Sequence, residues 1–513
     1  MSAAMLRLFA VGLSLCYADE VSDYLKRRDQ FLQQEQSMAD GASEQLTEAE
    51  QRFDKWLGST VQSLISQYKK ERLVDHFVPA TYFPRVREHI ENTTLYKMLR
   101  AMPKGGALHL HFESASSLEW IVQRGIDLPG CHAFWPEGNA TKVPLGTLAF
   151  FNATQAKTPG FLPIPELLKR MPDFRQRLLR MLTTHQEDEK LTSPQIWQKF
   201  QDVFTRVGQF FQLRTVVEQY LAATAEEFLA DGVQHVEIRI NLFSDSSGDL
   251  FDLDGRVYRG ADKLDVYERV IQKLQQKHPQ LSVKLIGSSF RFKRPEDLRK
   301  DLALALEVRK QRPDLLVGWD APGEEDAGRP TLDYARQLLD IQNQSRSAGV
   351  DLPLMLHDGE SDWSTTNAVD AVLLGTKRLG HGFNIVGHPL LMEEVKSKGV
   401  AIEVCPISNQ VLRYISDLRL HPGQRMLQNG LPVVLSSDDP GIWGARGLSH
   451  DFWEATVAWQ LNTKTLKALA SNSIQFSALP NGEKEKAMSY WSQQWQHFMA
   501  TWESHLVTGE IVV

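Results

Sequence analysis

Short apolar runs alternate with stretches of helical periodicity through most of the chain. The runs fall at 107–111, 233–242, 281–288, 315–320, 352–357, 378–381, 400–405 and 431–436, and helix-like sequence follows each of them. Eight such alternations predict an α/β fold, a (β/α)₈ barrel of the TIM type. A doubly wound open sheet would place a Gly-rich phosphate turn after an early strand, and none is present. Ahead of the barrel, Thr47-Glu48-Ala49-Glu50 matches a capping box, and Phe53, Trp56, Leu57, Val61 and Leu64 then recur at helical spacing. This predicts an N-terminal helical segment over 19–98 and a barrel over 99–513. The apolar stripe suits either a partner or the chain's own barrel. Between the first two strands, 125–185 begins with Gly, Pro, Asn and aromatics at little periodicity, which predicts a loop-rich insertion. Helical patterns resume at Ile164 and include Trp197.

Composition narrows the function classes. The 513 residues are 42% hydrophobic and 24% charged, with a net charge of −7. There is no basic footprint for nucleic acid or an anionic membrane. Residues 1–18 carry one arginine, an apolar core, and Cys16 and Ala18 before Asp19-Glu20, the pattern of a secretory signal peptide. No later stretch has the ~18 apolar residues of a membrane span. A secreted, extracellular protein is therefore expected, and N-x-S/T sequons at Asn92, Asn139, Asn152 and Asn343 fit a glycoprotein. Beyond the leader only Cys131 and Cys405 remain, too few for a disulfide framework.

The chemistry gathers where strands end, the catalytic face of a barrel. His109 and His111 alternate onto one face of the first strand, with Glu113 next in that register. With 15 histidines in 513 residues, about 0.4 such H-x-H pairs arise by chance, so the pair alone is weak. Later strand ends strengthen it with His357 and Glu360, His381, and Asp438-Asp439. Three imidazoles and a carboxylate make a zinc shell with room for water, so His109, His111, His357 and Asp438 are assigned as ligands of one Zn²⁺ per chain. Glu360 is placed as general acid, His381 as base and Asp439 as a substrate-orienting group. The set describes metal-assisted hydrolysis at an unsaturated carbon.

Four ordered motifs, His109-Leu110-His111, His357-Asp358-Gly359-Glu360, Leu379-Gly380-His381-Gly382 and Ser436-Ser437-Asp438-Asp439-Pro440, resemble those of the adenosine deaminase family. The leader, the N-terminal helices, 102–106, 447–452 and the insertion resemble its secreted branch, the adenosine deaminase-related growth factors. The resemblance implies hydrolysis of adenosine and 2′-deoxyadenosine to their inosine products and ammonia. It implies that Glu360 protonates purine N1, Asp439 meets the N7 side, and the Gly323 backbone lies near N3. It also implies a homodimer through the N-terminal helices and a cell-surface receptor. Trp197 matches a pocket tryptophan of that branch, though its spacing equally suits a helix-core aromatic. The chain departs from the branch in three places. Phe112 follows the second histidine where Asp is usual, Phe290 stands where a substrate-contacting histidine is expected, and Cys131 lacks its expected partner. Glu113 occupies the position at which the compact intracellular deaminases carry a ribose-binding Asp. These departures leave open another purine, a 5′-modified nucleoside, or a growth-factor-like ligand with a vestigial site.

Overall fold

In the computed structural model, residues 3–70, 77–136, 142–151 and 158–508 are described, with 3–19 as backbone alone. Asn139 and Asn152 lie outside the described residues, and the proposed leader enters only as the backbone that begins helix Ala3–Ser37. Eight parallel strands ring the centre: β1 Gly105–Ala107, β2 Val233–Asn241, β3 Ser282–Ser288, β4 Leu316–Asp320, β5 His357–Asp358, β6 Arg378–His381, β7 Ala401–Val404 and β8 Val433–Leu435. They pair in sequence order as two four-stranded sheets, β1–β4 and β5–β8. Isolated bridges join both seams, Trp319 to Leu354 on one side and Leu110 to Asp438 on the other. The second seam is held by Asp438 N–H donating to His109 O at 3.2 Å.

Two predicted strands are shorter than their apolar runs. Pro353 has no N–H to give a ladder, so the run over 352–357 pairs by a single bridge at Leu354 before β5 begins. β1 stops at Ala107, and beyond it Arg239 N–H reaches Leu110 O at 2.8 Å. The outward side chains of β2, Val236, Ile238 and Ile240, are buried in the main core, while the inward Glu237 and Arg239 are buried charges. The barrel centre is therefore ionic as well as apolar.

The insertion holds more regular structure than its loop-like texture suggests. Cys131–Phe134 forms the centre of a small antiparallel sheet, flanked by Leu148–Phe150 and Phe161–Pro163. Strands this short leave no period to read in the sequence. Helices Ile164–Arg170 and Phe174–Leu182 follow. Cys131 and Cys405 are both buried free thiols.

The capping box forms, with Thr47 N–H donating to Glu50 Oε2 at 2.7 Å and opening helix Glu48–Lys70. Its stripe does not face outward. Phe53, Leu57 and Val61 are at most 2% exposed, and Phe53 packs edge-on against Phe498 and Trp502 of helix Asn481–Thr508. The chain's own C-terminal helix thus covers the face read as a partner surface. Helix Ala3–Ser37 instead exposes Val21, Tyr24, Leu25, Phe31 and Leu32. Among the described residues, no helix is long and apolar enough to cross a membrane.

Candidate active site

Four imidazoles and a carboxylate converge where β1, β5, β6 and β8 end. His111 Nε2 lies 3.2 Å from His357 Nε2, and Asp438 Oδ1 lies 3.3 Å from His109 Nε2 and 3.2 Å from His111 Nε2. His381 Nε2 is 3.9 Å from Asp438 Oδ2 and 3.6 Å from Glu360 Oε1. The backbone is bent to achieve this. His381 and Asp438 have φ of 64° and 60°, a left-handed conformation that costs a non-glycine residue about 1–3 kcal/mol and gathers at functional sites. Gly380 admits the neighbouring rings, because a Cβ there would stand 3.1 Å from His109 Cε1.

These residues fit a metal ion. His109 Nε2 and Asp438 Oδ1 are buried without a well-aligned hydrogen bond, and an imidazole–carboxylate donor set suits a first-row cation. Donor atoms of His109, His357, His381 and Asp438 all lie within 4.8 Å of one another, and His111 joins Asp438 and Asp439 in a second such group. The sequence reading separated His381 from the ligands. In the structure one of its ring nitrogens stands within 4.8 Å of the donor atoms of His109, His357 and Asp438, so five groups meet rather than four.

Behind the clustered histidines lies a layer of carboxylates and arginines that the sequence reading missed. His109 Nδ1 meets Glu403 Oε2 at 2.6 Å, and His357 Nδ1 meets Asp320 Oδ2 at 2.5 Å. Such contacts fix each ring's tautomer and leave its far nitrogen free to ligate. Arg239 joins the two carboxylates, with Nε 2.5 Å from Asp320 and a terminal nitrogen 2.8 Å from Glu403. Arg378 continues the chain from Glu403 at 2.5 Å to Glu237 at 2.6 Å. Asp438 is steadied by Ser408 Oγ at 2.7 Å, and Asn409 Nδ2 sits 3.3 Å from His381 Nδ1. The missed signal was a charge inside an apolar run: Glu237 and Arg239 in β2, Asp320 in β4, and Glu403 in β7.

Electrostatics sort the site into acids and bases. Burial, with Asp438 and Glu325 nearby, raises the Glu360 carboxyl well above the usual range, which favours its protonated form. Burial and Asp438 do the same to Asp439, which accepts a short hydrogen bond from Ser114 Oγ. Burial would also raise Asp438, but the His109 and His111 imidazoles prevail and hold it well below the usual range. Burial and the neighbouring histidines keep His381 neutral, and burial pushes His357 down to about 3.

The cluster forms the floor of a cavity of about 770 Å³ that Glu113, Trp197, Gly323, Glu360, His381 and Asp439 also line. Glu113 reaches it by a route other than strand alternation. Residues Phe112–Ser114 form a 3₁₀ turn, and Glu113 Oε1 accepts from Asn241 Nδ2 at 2.7 Å. Phe112 points away, buried edge-on against Phe211, Tyr220 and Tyr267. Trp197 is 4% exposed and serves both readings, packing edge-on to Phe200 while lining the cavity. Gly323 adopts φ 131°, and a Cβ there would stand 3.0 Å from Phe292.

Comparison with known proteins agrees with this geometry. The family model described as Adenosine deaminase matches residues 176–492, more than half of the chain. The chain is 32% identical to Adenosine deaminase 2 of Sus scrofa, with 96% of this chain and 97% of that protein covered. Identity is also 32% to Adenosine deaminase 2 of Dictyostelium discoideum, over 93% of this chain and 87% of the relative. Among solved structures, a zinc-bound amidohydrolase from Burkholderia ambifaria superimposes with a TM-score of 0.58 at 18% identity, covering 80% of this chain and 96% of its own. The N6-mAMP deaminase of Arabidopsis does so with 0.55 at 17%, covering 77% and 99%. Those two likenesses carry the fold, and the sequence matches carry the kinship: the chain is a deaminase hydrolase belonging to the adenosine deaminase family.

Proposed function

We propose that this protein is a secreted, zinc-dependent deaminase that converts adenosine and 2′-deoxyadenosine to inosine and 2′-deoxyinosine with release of ammonia. The observation that carries the reading is a buried carboxyl, Glu360, 3.6 Å from His381 beside a His–Asp cluster able to hold a metal, with burial favouring the protonated carboxyl and the neutral imidazole. His109, His111, His357 and Asp438 would hold the zinc, and a relative of the same fold was solved with bound Zn. When bound, the ion supplies Lewis acidity that makes water nucleophilic near neutral pH. Glu360 gives its proton to purine N1 as water adds at C6, since the ring needs a proton there to accept the electron pair. His381 takes the proton that water loses and returns it to the departing amine, and the remaining hydroxyl proton at C6 restores Glu360 as the carbonyl forms. Asp439, whose carboxyl burial likewise raises, faces N7, Gly323 presents backbone towards N3, and Trp197 borders the ribose. Glu113 reads the ribose 5′-hydroxyl.

The leader at 1–18 supports secretion, with 19–98 as a helical segment and 99–513 as the barrel carrying the 125–185 insertion. Asn92 and Asn343 are exposed sequons, which suits glycosylation. Exposed Tyr24, Leu25, Phe31 and Leu32 on helix Ala3–Ser37 support a homodimer, with this helix in place of the covered stripe. Tyr24→Asp with Phe31→Asp in the full chain should halve the mass seen by light scattering, and an unchanged mass would end the dimer reading. The altered ribose side, with Glu113 and Phe290 at the cavity, favours 5′-modified nucleosides as the second reading. Metal analysis and a purine nucleoside panel followed by the loss of adenosine absorbance test the main one. Active protein without stoichiometric zinc, or a zinc-loaded protein inert to adenosine, would overturn it.

A further inference from the structure

On a purine, the exocyclic bonds at C6 and N9 leave from opposite edges of the bicycle. A base whose C6 faces Asp438, His381 and Glu360 therefore points N9, and everything attached to it, at the cavity mouth. That mouth is aromatic on the side formed by the loops after β2 and β3. Phe290 and Phe292 line it while leaving 38% and 45% of their surface exposed, and the Phe243 and Phe290 rings stand 5.3 Å apart. Large apolar side chains left uncovered at the mouth of a catalytic cavity call for an apolar ligand group.

The charges lining the mouth point the same way. Arg239 and Lys293 are the cations among the lining residues. Arg239 is sealed between Asp320 and Glu403. Lys293 Nζ lies 2.6 Å from the buried Asp301 carboxylate and 4.0 Å above the Phe243 ring, so its charge is already matched. Glu113 and Glu324 add carboxyl groups to the lining. A phosphate at C5′ would meet these carboxyls and no uncommitted cation, and the neutral Gln209, Gln212, Ser246 and Ser247 in the lining would leave its charge unbalanced. A thioether there would meet phenyl rings, a favourable contact for a polarisable sulfur.

We infer, resting on the deaminase reading above, that the mouth is a subsite for an uncharged apolar group at C5′, so that 5′-alkylthio adenosines are substrates and 5′-phosphates are not. The reaction is the same hydrolysis: water adds at C6, the C6–N bond breaks, ammonia leaves, and the 5′-alkylthio inosine is released.

The test uses the zinc-loaded full chain with adenosine, 5′-deoxy-5′-methylthioadenosine and adenosine 5′-monophosphate. The expected result is a kcat/KM for the methylthio nucleoside within about 100-fold of that for adenosine, because the sulfur gains the phenyl contacts while giving up the hydroxyl's bond to Glu113, and at least about 100-fold lower again for the monophosphate. Phe290→Ala, a change at a part-exposed ring, should lower the ratio of methylthio to adenosine turnover about tenfold, and Phe290→Leu should restore it. Turnover of adenosine without the methylthio nucleoside, comparable turnover of the monophosphate, or an unmoved ratio in Phe290→Ala would overturn the subsite and leave the deaminase reading intact. Turnover of the methylthio nucleoside without adenosine would uphold the subsite and overturn adenosine as substrate. Turnover of neither would overturn both.

Discussion

Arg239→Met removes the cation that ties the two metal-side carboxylates together, and its cost can be worked from the contacts. The guanidinium is 1% exposed and makes charged hydrogen bonds of 2.5 Å to Asp320 and 2.8 Å to Glu403. Each is worth about 1.5–3 kcal/mol, so about 3–6 kcal/mol is at stake. Asp320 keeps the Ala321 and His357 backbone donors at 2.7 and 2.9 Å, and Glu403 keeps Arg378. The loss should therefore fall near the low end, about 3 kcal/mol, in line with breaking a buried ion pair. The same substitution frees the His109 and His357 rings to rotate, and loss of such support weakens metal binding by about 10–100-fold. Urea unfolding of the metal-free protein reads the first effect, and zinc titration against a competing chelator reads the second. Arg239→Lys carries a point charge that cannot span both carboxylates, so it should regain part of the stability and little of the affinity. Unaltered zinc affinity in Arg239→Met would refute the idea that this chain of charges positions the ligands.

Glu360→Gln should keep its metal and lose about 10²–10⁴-fold in kcat, because an amide cannot deliver the proton; near-normal turnover removes Glu360 from the acid role. Glu113→Ala should slow adenosine by about 10- to 150-fold in kcat/KM and barely affect 5′-deoxyadenosine, which lacks the hydroxyl it would bind; equal losses on both substrates would show that it does not read that position. Burial opposes ionisation of Glu237, but Arg378 and His235 prevail and hold its carboxyl at about 2. Its folded pKa lies below the unfolded value of about 4.3, so it contributes about 3 kcal/mol above that pH and loses it as pH falls towards 2. Glu237→Gln should flatten the decline in unfolding free energy between pH 5 and pH 3, and an unchanged acid limb would count against it.

The barrel was legible because parallel strands buried on both faces leave continuous apolar runs, and the histidines and carboxyls that the structure clusters were legible because they sit where those runs stop. His109, His357, Glu360, His381 and Asp438 all fall at such ends. What could not be read was partnership across strands. Asp320 and Glu403 look like stray charges until the barrel closes and sets each behind a histidine from another strand. The dimer stripe failed for the same reason: periodicity shows that a helix has an apolar face but not what covers it, and Phe498 lies far along the chain. Glu113 reached the cavity although the strand had already ended, because a 3₁₀ turn carried it there.

The clasp between helix Glu48–Lys70 and helix Asn481–Thr508 also sets the order in which the molecule can be finished. Glu50 and its partner Trp495 are 445 residues apart. At ribosomal speeds of about 5–20 residues per second, the Phe53 face waits roughly 20–90 s for the helix that covers it. Throughout that interval the nascent chain carries an uncovered aromatic surface, a natural target for chaperones. Nonsense or frameshift changes removing only helix Asn481–Thr508 would leave every side chain of the His–Asp cluster encoded, yet the product would keep that surface bare.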